Sequence, residues 1–392
     1  MNDPAPLDWL DGALAGLDRS GLRRVRKVGT GLPSGAIDFG SNDYLGIAAD
    51  PRLAEAAAEA ARVHGWGAGA SPVVSGRSPV HAQLERRLAV FEGQEAAVVF
   101  PSGFAANAGV IPALADEGDA LYADAKNHAS LIDGCRLSRA VCRVYPHNEV
   151  QWLADTLRDD DGRFGRRLIV TDGLFSMDGD FAPLGELGAL AERHGAMLLV
   201  DEAHATGVWG DTGRGSVEHA AGASPGLEHQ VTIRVGTLSK AFGASGGFVS
   251  GTAKLIDWLA NRARPYVFST APPPAVAAAA LAALEIVQSE PERRDRVQKN
   301  AARLRDSLHA AGWCTGNSVS QIVPIFLGEP ETALTLSAEL AKRDLYVPAI
   351  RPPSVPEGES LLRVSVSARH TDEDLDRLVE ALGPASESAR SL

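Results

Sequence analysis

Between about residues 50 and 285, short apolar runs alternate with helical patterns, and each apolar run ends in small polar residues. AAVVF leads into PSG, ALYADA precedes NHASL, RLIVT leads into DGLFSMDGD, AMLLV into DEAHATG, and VTIRVGT into LSKAFGASGG. Aliphatic, β-branched runs separated by helices predict an α/β fold with a mostly parallel central sheet covered by helices on both faces. The next run, GGFVSG, predicts a reversing strand. Asp50-Pro51 predicts the start of an alanine-rich helix, with Asp50 as cap and Pro51 in the first turn. Ahead of it, residues 1–49 read as a short helix, a basic patch (RRVRKV from Arg23) and DFGSNDYLG. Beyond about residue 286, a charged helix is followed by the strands QIVPIFLG and LLRVSVSA and by two more helices. The expected division is an N-terminal segment 1–49, a large α/β domain 50–285 and a smaller α+β domain 286–392, with the last boundary inside the helical stretch 275–300.

Composition narrows the classes. With 392 residues, 45% hydrophobic and 22% charged, the chain can bury a large core without disulfide staples. A net charge of −12 argues against nucleic acid as a partner, because phosphate backbones demand clustered Lys and Arg. Cys135, Cys142 and Cys314 match no metal-ligand spacing and leave one thiol over, which predicts a reducing compartment and no metal. The start, MNDPAPLDWLDG, is acidic and has no continuous apolar core, unlike a signal or transit peptide. AVAAAALAALEIV from Ala275 is too short and too alanine-rich to span a bilayer and predicts a packed helix. The expectation is a cytoplasmic protein that binds no membrane.

In open α/β sheets, ligands bind at the carboxyl ends of the strands, where Ser102-Gly103, Ser176, Asp201, His204 and Lys240 fall. Only six of the 38 basic residues are lysines, so a lysine in the glycine-rich turn GTLSKAFGASGG stands out. Its amine can form a Schiff base with an aldehyde, which a guanidinium cannot. A solvated loop lysine is the competing reading. Asp201 directly follows an apolar strand, so its carboxylate needs a buried partner, and a protonated pyridine nitrogen is one. A helix cap is the alternative for Asp201, and a satisfied core histidine the alternative for His204. Gly103 and Phe104 are placed to open a helix and offer amides to phosphate, and Thr237 can add a hydroxyl. His128 in NHASL can stack on a flat ring or simply begin a helix. Ser176 is a hydroxyl near the ring or a turn serine. Arg363, on an apolar strand, can grip a carboxylate or snorkel from a sheet edge.

Two nucleotide-binding readings fail. DEAH also occurs in helicases, but a phosphate-cradling loop needs Gly-Lys, and the chain contains no such pair. GWGAGA at Gly65 lacks the third spaced glycine and the preceding strand of a dinucleotide fingerprint. What remains is an ordered set: a phosphate turn, a stacking His, a strand-end Asp with a His three on, and a Lys 39 positions after the Asp.

DEAHATG, GTLSKAFGASGG, SNDYLG, SGFAAN, NHASL and FSMDGD together resemble the α-oxoamine synthases, from about Leu22 to His370. The resemblance implies a fold-type I enzyme dependent on pyridoxal 5′-phosphate, which condenses an amino acid with an acyl thioester and loses carbon dioxide. It implies Lys240 as the Schiff-base lysine and acid/base, Asp201 on the pyridinium, His204 and Ser176 at the ring oxygen, and His128 stacked on the ring. Gly103, Phe104 and Thr237 are implied as phosphate contacts, and Thr270 as reaching the phosphate of a partner subunit in a homodimer with shared sites. Arg23, His128, Ser354 and Arg363 are implied as substrate contacts. AIRPPSVPEG from Ala349 is similar to the branch serving biotin synthesis, which implies L-alanine and a pimeloyl thioester of CoA or a carrier protein. The sequence departs from the family pattern at Ser354, where Thr is common, and at Phe268, where Tyr is common. Glycine C-acetyltransferase and 5-aminolevulinate synthase chemistry are the nearest rivals, and a non-catalytic pyridoxal-phosphate-binding protein is the rival of another class.

Overall fold

The computed structural model describes residues 5–385 except 25, 27, 30, 32 and 33, so part of the basic patch (Val25 and Lys27) lies outside the described residues. Seven strands form the principal sheet: β1 (Ala96–Phe100), β2 (Ala120–Asp124), β3 (Val141–Tyr145), β4 (Arg167–Asp172), β5 (Met197–Asp201), β6 (Ile233–Thr237) and β7 (Gly247–Gly251). Their order is β1-β7-β6-β5-β4-β2-β3. β7 runs antiparallel to both of its neighbours, and the five strands β6, β5, β4, β2 and β3 are mutually parallel. The mostly parallel sheet and its reversing strand are therefore those the apolar runs predict.

Successive residues of a strand face opposite sides, so a strand covered on both faces is apolar at most positions; the buried Arg234 of β6 is an exception and donates to the Glu92 carbonyl at 3.1 Å. Leu121, Ala123, Leu168, Val170 and Leu199 face one core, with Val110 and Ile111 of the helix Gly103–Leu114 and Leu131 of the helix Ala129–Leu137. Ala120, Tyr122, Ile169, Leu198 and Val200 face the other, with Leu153 of the helix Val150–Asp159 and Leu187 and Leu190 of the helix Leu184–His194. β3 is the strand no apolar run announces. It lies at the sheet edge with Val141 and Val144 exposed, and Arg143 interrupts its pattern.

The helix Pro51–His64 starts as expected: Pro51 occupies the first turn, and the Asp50 carboxylate accepts the Arg52 amide at 3.1 Å. The apolar stretch from Ala275 lies in the helix Pro274–Ser289, which buries Ala277, Ala280, Leu284 and Val287. Among the described residues, no helix is long and apolar enough to cross a membrane.

The chain divides into two units. The larger comprises Asn42–Ser176 and Asp180–Gln298, and so holds the whole seven-stranded sheet. The smaller comprises the described residues up to Ser41, Met177–Gly179, and those from Lys299 onward. Its sheet has three antiparallel strands, β8 (Ile322–Gly328), β9 (Ala349–Ile350) and β10 (Ser360–Ser365), in the order β9-β10-β8. Pro324 is tolerated within β8 because that strand is an edge. A separate parallel pair joins Ile37–Asp38 to Leu345–Tyr346.

Candidate active site

Asp201 is the last residue of β5, and Thr237, the last of β6, is followed by the turn carrying Lys240. These parallel neighbours deliver a carboxylate and an amine to the same edge of the sheet. The Lys240 turn is closed by the Gly243 amide, which donates to the Lys240 carbonyl at 2.8 Å. Gly243 has φ +61°, and a Cβ there would lie 2.3 Å from the Ala48 amide nitrogen, so only glycine completes this turn.

Lys240 Nζ lies 2.8 Å from His204 Nε2, and His204 Nδ1 lies 2.6 Å from the Tyr44 hydroxyl. Tyr44 donates in turn to Asn42 Oδ1 at 3.1 Å. With its own proton directed at Asn42, the phenol accepts from His204 Nδ1–H, which leaves Nε2 to accept from the lysine. The SNDYLG motif thus fixes the tautomer of the DEAH histidine. Glu202 of the same motif is structural: its buried carboxylate accepts the Ser216 amide and hydroxyl, each at 2.7 Å, and the Val217 amide at 2.8 Å.

Asp201, 4% exposed, is held by neutral donors. Asn107 Nδ2 donates to its Oδ2 at 2.6 Å, and the Ala203 amide donates to its Oδ1 at 2.9 Å. Among the described residues, no cationic side chain bonds to it. Asp172, its register partner at the end of β4, is also buried. Burial, and then the charge of Asp201 beside it, push the Asp172 carboxyl well above the usual carboxylate range. Asp172 Oδ2 accepts the backbone amide of His128 at 2.6 Å, which fixes the start of the helix Ala129–Leu137. The His128 ring is at the surface of this unit, with Nδ1 2.7 Å from the Ser130 hydroxyl.

The helix Gly103–Leu114 begins where the phosphate turn is expected. Ser102 Oγ caps it by accepting the Ala105 amide at 3.0 Å, leaving the amides of Gly103 and Phe104 for a ligand. A Cβ on Gly103 would come within 3.4 Å of the Thr237 side chain, so the two expected phosphate contacts are neighbours. The Thr237 hydroxyl meets Ser239 Oγ at 2.8 Å and the Gly246 carbonyl at 3.0 Å. Ser176 is half-buried after β4. Thr270 is exposed, on a segment fastened by the Ala271 amide to the Ala70 carbonyl at 2.9 Å.

The remaining expected contacts lie in the smaller unit. Arg363 is a buried residue of β10, and its amide donates to the Pro348 carbonyl at 3.1 Å. Arg23 pairs with Asp18 at 2.6 Å, and its neighbour Arg24 reaches Ser354 Oγ at 3.3 Å. Arg351 donates to the Gly21 carbonyl. Burial and the Arg24 charge both lower the Arg351 pKa, so the two guanidinium groups are close. Sequence reasoning missed Asn107, Asp172, Tyr44, Asn42 and Arg24. Asp172 carried the same strand-end signal as Asp201, while Tyr44 and Asn42 stood in a quoted motif without a role. Among the described residues, no cluster of three His, Cys, Asp or Glu side chains could hold a metal ion.

The model of the aminotransferase class I and II family matches residues 34–382. The chain belongs to that family. It is 47% identical, over 98% of both chains, to an 8-amino-7-oxononanoate synthase of Symbiobacterium thermophilum. Among solved structures it resembles a Sphingomonas wittichii serine palmitoyltransferase with a TM-score of 0.88, at 34% identity over 96% of both chains. It also resembles an 8-amino-7-oxononanoate synthase from Francisella tularensis with a TM-score of 0.77, at 29% identity over 89% of this chain and 97% of that one.

Proposed function

We propose that this chain condenses L-alanine with a pimeloyl thioester, releasing the thiol and carbon dioxide, and yields 8-amino-7-oxononanoate for biotin synthesis. The observation that carries it is the pair of adjacent strand ends presenting the Lys240 amine and the Asp201 carboxylate, in a family member 47% identical to a synthase of that name. The same edge fits pyridoxal 5′-phosphate. A buried carboxylate held only by neutral donors suits a pyridinium nitrogen, and the open amides of Gly103 and Phe104, with the Thr237 hydroxyl beside them, suit a phosphate. When bound, that cofactor supplies an aldehyde for the amine and a ring that stores the electron pair of a broken α-carbon bond.

The chain's own residues do the rest. Lys240 Nζ removes the proton from the alanine α-carbon and later returns one, and His204 Nε2, held as an acceptor by Tyr44, keeps that nitrogen oriented. Asp201 holds the positive charge on the ring nitrogen. His128 would cover the ring face, Ser176 and, with a proton on Nε2 once Lys240 is engaged, His204 would donate to the ring oxygen, and Arg363 would grip the alanine carboxylate. Arg23 and Ser354 bind substrate, with Arg24 as the guanidinium that contacts the Ser354 hydroxyl. The protein works as a cytoplasmic homodimer in which Thr270 reaches the partner's phosphate.

Thiol release with alanine and pimeloyl-CoA or pimeloyl carrier protein, with the product identified by mass, tests the reading. Turnover of glycine with acetyl-CoA, and none of alanine with either pimeloyl thioester, would replace it with glycine C-acetyltransferase. Cofactor binding without turnover of any amino acid would leave a binding protein.

A further inference from the structure

Asn107 lies on the fourth residue after Gly103, so both occupy one face of the same helix. The helix thus presents its first amides at one point and, a turn later, an amide side chain directed at Asp201. Asn107 is fully buried, and its Nδ2 spends both protons inside the site, 2.6 Å from Asp201 Oδ2 and 2.9 Å from Ser130 Oγ. Its Oδ1 has no partner among the described residues. Turning the amide over would satisfy nothing, since it would set that oxygen against a carboxylate.

Ser130 carries the connection outward. Its hydroxyl accepts from Asn107 and lies 2.7 Å from His128 Nδ1, and its backbone amide donates to the same nitrogen at 3.3 Å. A nitrogen that receives an N–H is an acceptor, so the Ser130 hydroxyl donates to it as well, and the ring proton of His128 sits on Nε2. One hydrogen-bonded chain therefore runs from the carboxylate at the end of β5 to the imidazole at the start of the helix Ala129–Leu137. The next carboxyl, Asp172, closes the loop from the other side by accepting the His128 backbone amide.

We propose that Asn107 is the positioning residue of this site: through Asp201 and Ser130 it fixes the pyridinium carboxylate and the ring-covering histidine in one frame. The inference rests on the reading of the site as one for pyridoxal phosphate. Asp172 and Asp201 end neighbouring strands, and Asn107 gives Asp201 a side-chain donor. Asp172 receives one backbone amide and lies beside the charge of Asp201. Removing the Asn107 donor leaves Asp201 Oδ2 untied, and the ring nitrogen loses a partner fixed in place.

The test uses the full-length protein in apo and reconstituted forms. Asn107→Asp keeps the shape and removes the donor, whereas Asn107→Ala removes both. A donor role makes the Asp variant the worse of the two, because it sets an acceptor against Asp201. A packing role makes the Ala variant the worse, because it leaves a cavity. Cofactor affinity of the apoprotein should fall by about tenfold for Asn107→Ala and further for Asn107→Asp. The pH titration of the bound cofactor's visible absorption should shift in both. Ser130→Ala, which leaves Asp201 tied but unties the His128 ring, should lower the affinity by less than Asn107→Ala does. Thermal melting of the apoproteins reads folding separately. Wild-type affinity and an unmoved titration in Asn107→Asp would overturn the inference, as would a variant order matching cavity size. Failure of the unaltered protein to bind the cofactor would instead overturn the reading of the site.

Discussion

Two places on the carboxyl edge of the large sheet collect aspartates and a histidine, and they use them in opposite ways. At the ends of β2 and β3, His147 sits between two carboxylates, 2.9 Å from Asp124 and 3.0 Å from Asp180. Burial works against its charge, but the hydrogen bonds and charges of Asp124 and Asp180 outweigh burial and raise its pKa to about 9. The cluster fastens the segment after β4 to the ends of β2 and β3. At the ends of β5 and β6, Asp201 is held by an amide side chain and a backbone N–H, and the histidine is kept by Tyr44 as an acceptor toward Lys240. A carboxylate paired with a cation is spent on stability. One held by neutral donors keeps its charge for a ligand, at a desolvation cost that the empty fold alone does not offset.

That contrast can be broken by substitution, and the largest effect belongs to the amine. Lys240→Ala should abolish turnover and the adduct fixed by borohydride, with loss of at least the ~10²–10⁴-fold a positioned base supplies. An adduct of unchanged yield, located by peptide mapping elsewhere, would refute the assignment. Asp201→Asn should lower kcat by about a hundredfold or more, as loss of a charge stabiliser does, while the apoprotein melts at the same temperature or higher. His147→Ala should invert that result. Two buried carboxylates lose their shared cation, so the urea midpoint should fall by the equivalent of about 3 kcal/mol, with kcat/KM of the folded protein little changed. The smallest effect is the pH dependence of the unaltered chain. The pKa of His147 is raised on folding, so its contribution is complete below about pH 6.5 and disappears as pH rises through about 9. The loss is about 3 kcal/mol between those limits. Urea melts of the His147→Gln variant should lack that alkaline decline.

How much of this was legible in the sequence follows from what each signal depends on. Strands buried on both faces are apolar at most positions, so β1, β2, β4, β5, β6 and β7 stood out as runs even with the buried Arg234 in β6, and their polar ends marked the candidate site. β3 did not, because most of its residues are exposed and Arg143 stands at its centre, whereas β1, the other edge strand, is buried and apolar. Asp201, His204 and Lys240 were visible because each follows a run directly. Asn107 was hidden inside a helix whose outward signal was the turn that opens it, and only the register between that helix and β5 turns its amide toward Asp201. The choice between Arg23 and Arg24 was beyond sequence reasoning for a similar reason. Adjacent guanidinium groups are alike in type, and the backbone after the helix Trp9–Arg19 decides which one meets Asp18 and which meets Ser354.

The reversed strand has a consequence for how the chain is made. β7 slots between β1 and β6, and its first residue lies against the opening of the helix Gly103–Leu114, where a Cβ on Gly247 would come within 2.4 Å of the Gly103 nitrogen. Phe100 and Gly247 are register partners although most of the principal sheet is synthesised between them. A nascent chain on the ribosome therefore possesses the helix long before the strand that seats it. Pairing so distant in sequence is slow to form, so the opening of that helix should be seated only once residue 251 has emerged, as the final event in assembly of the sheet.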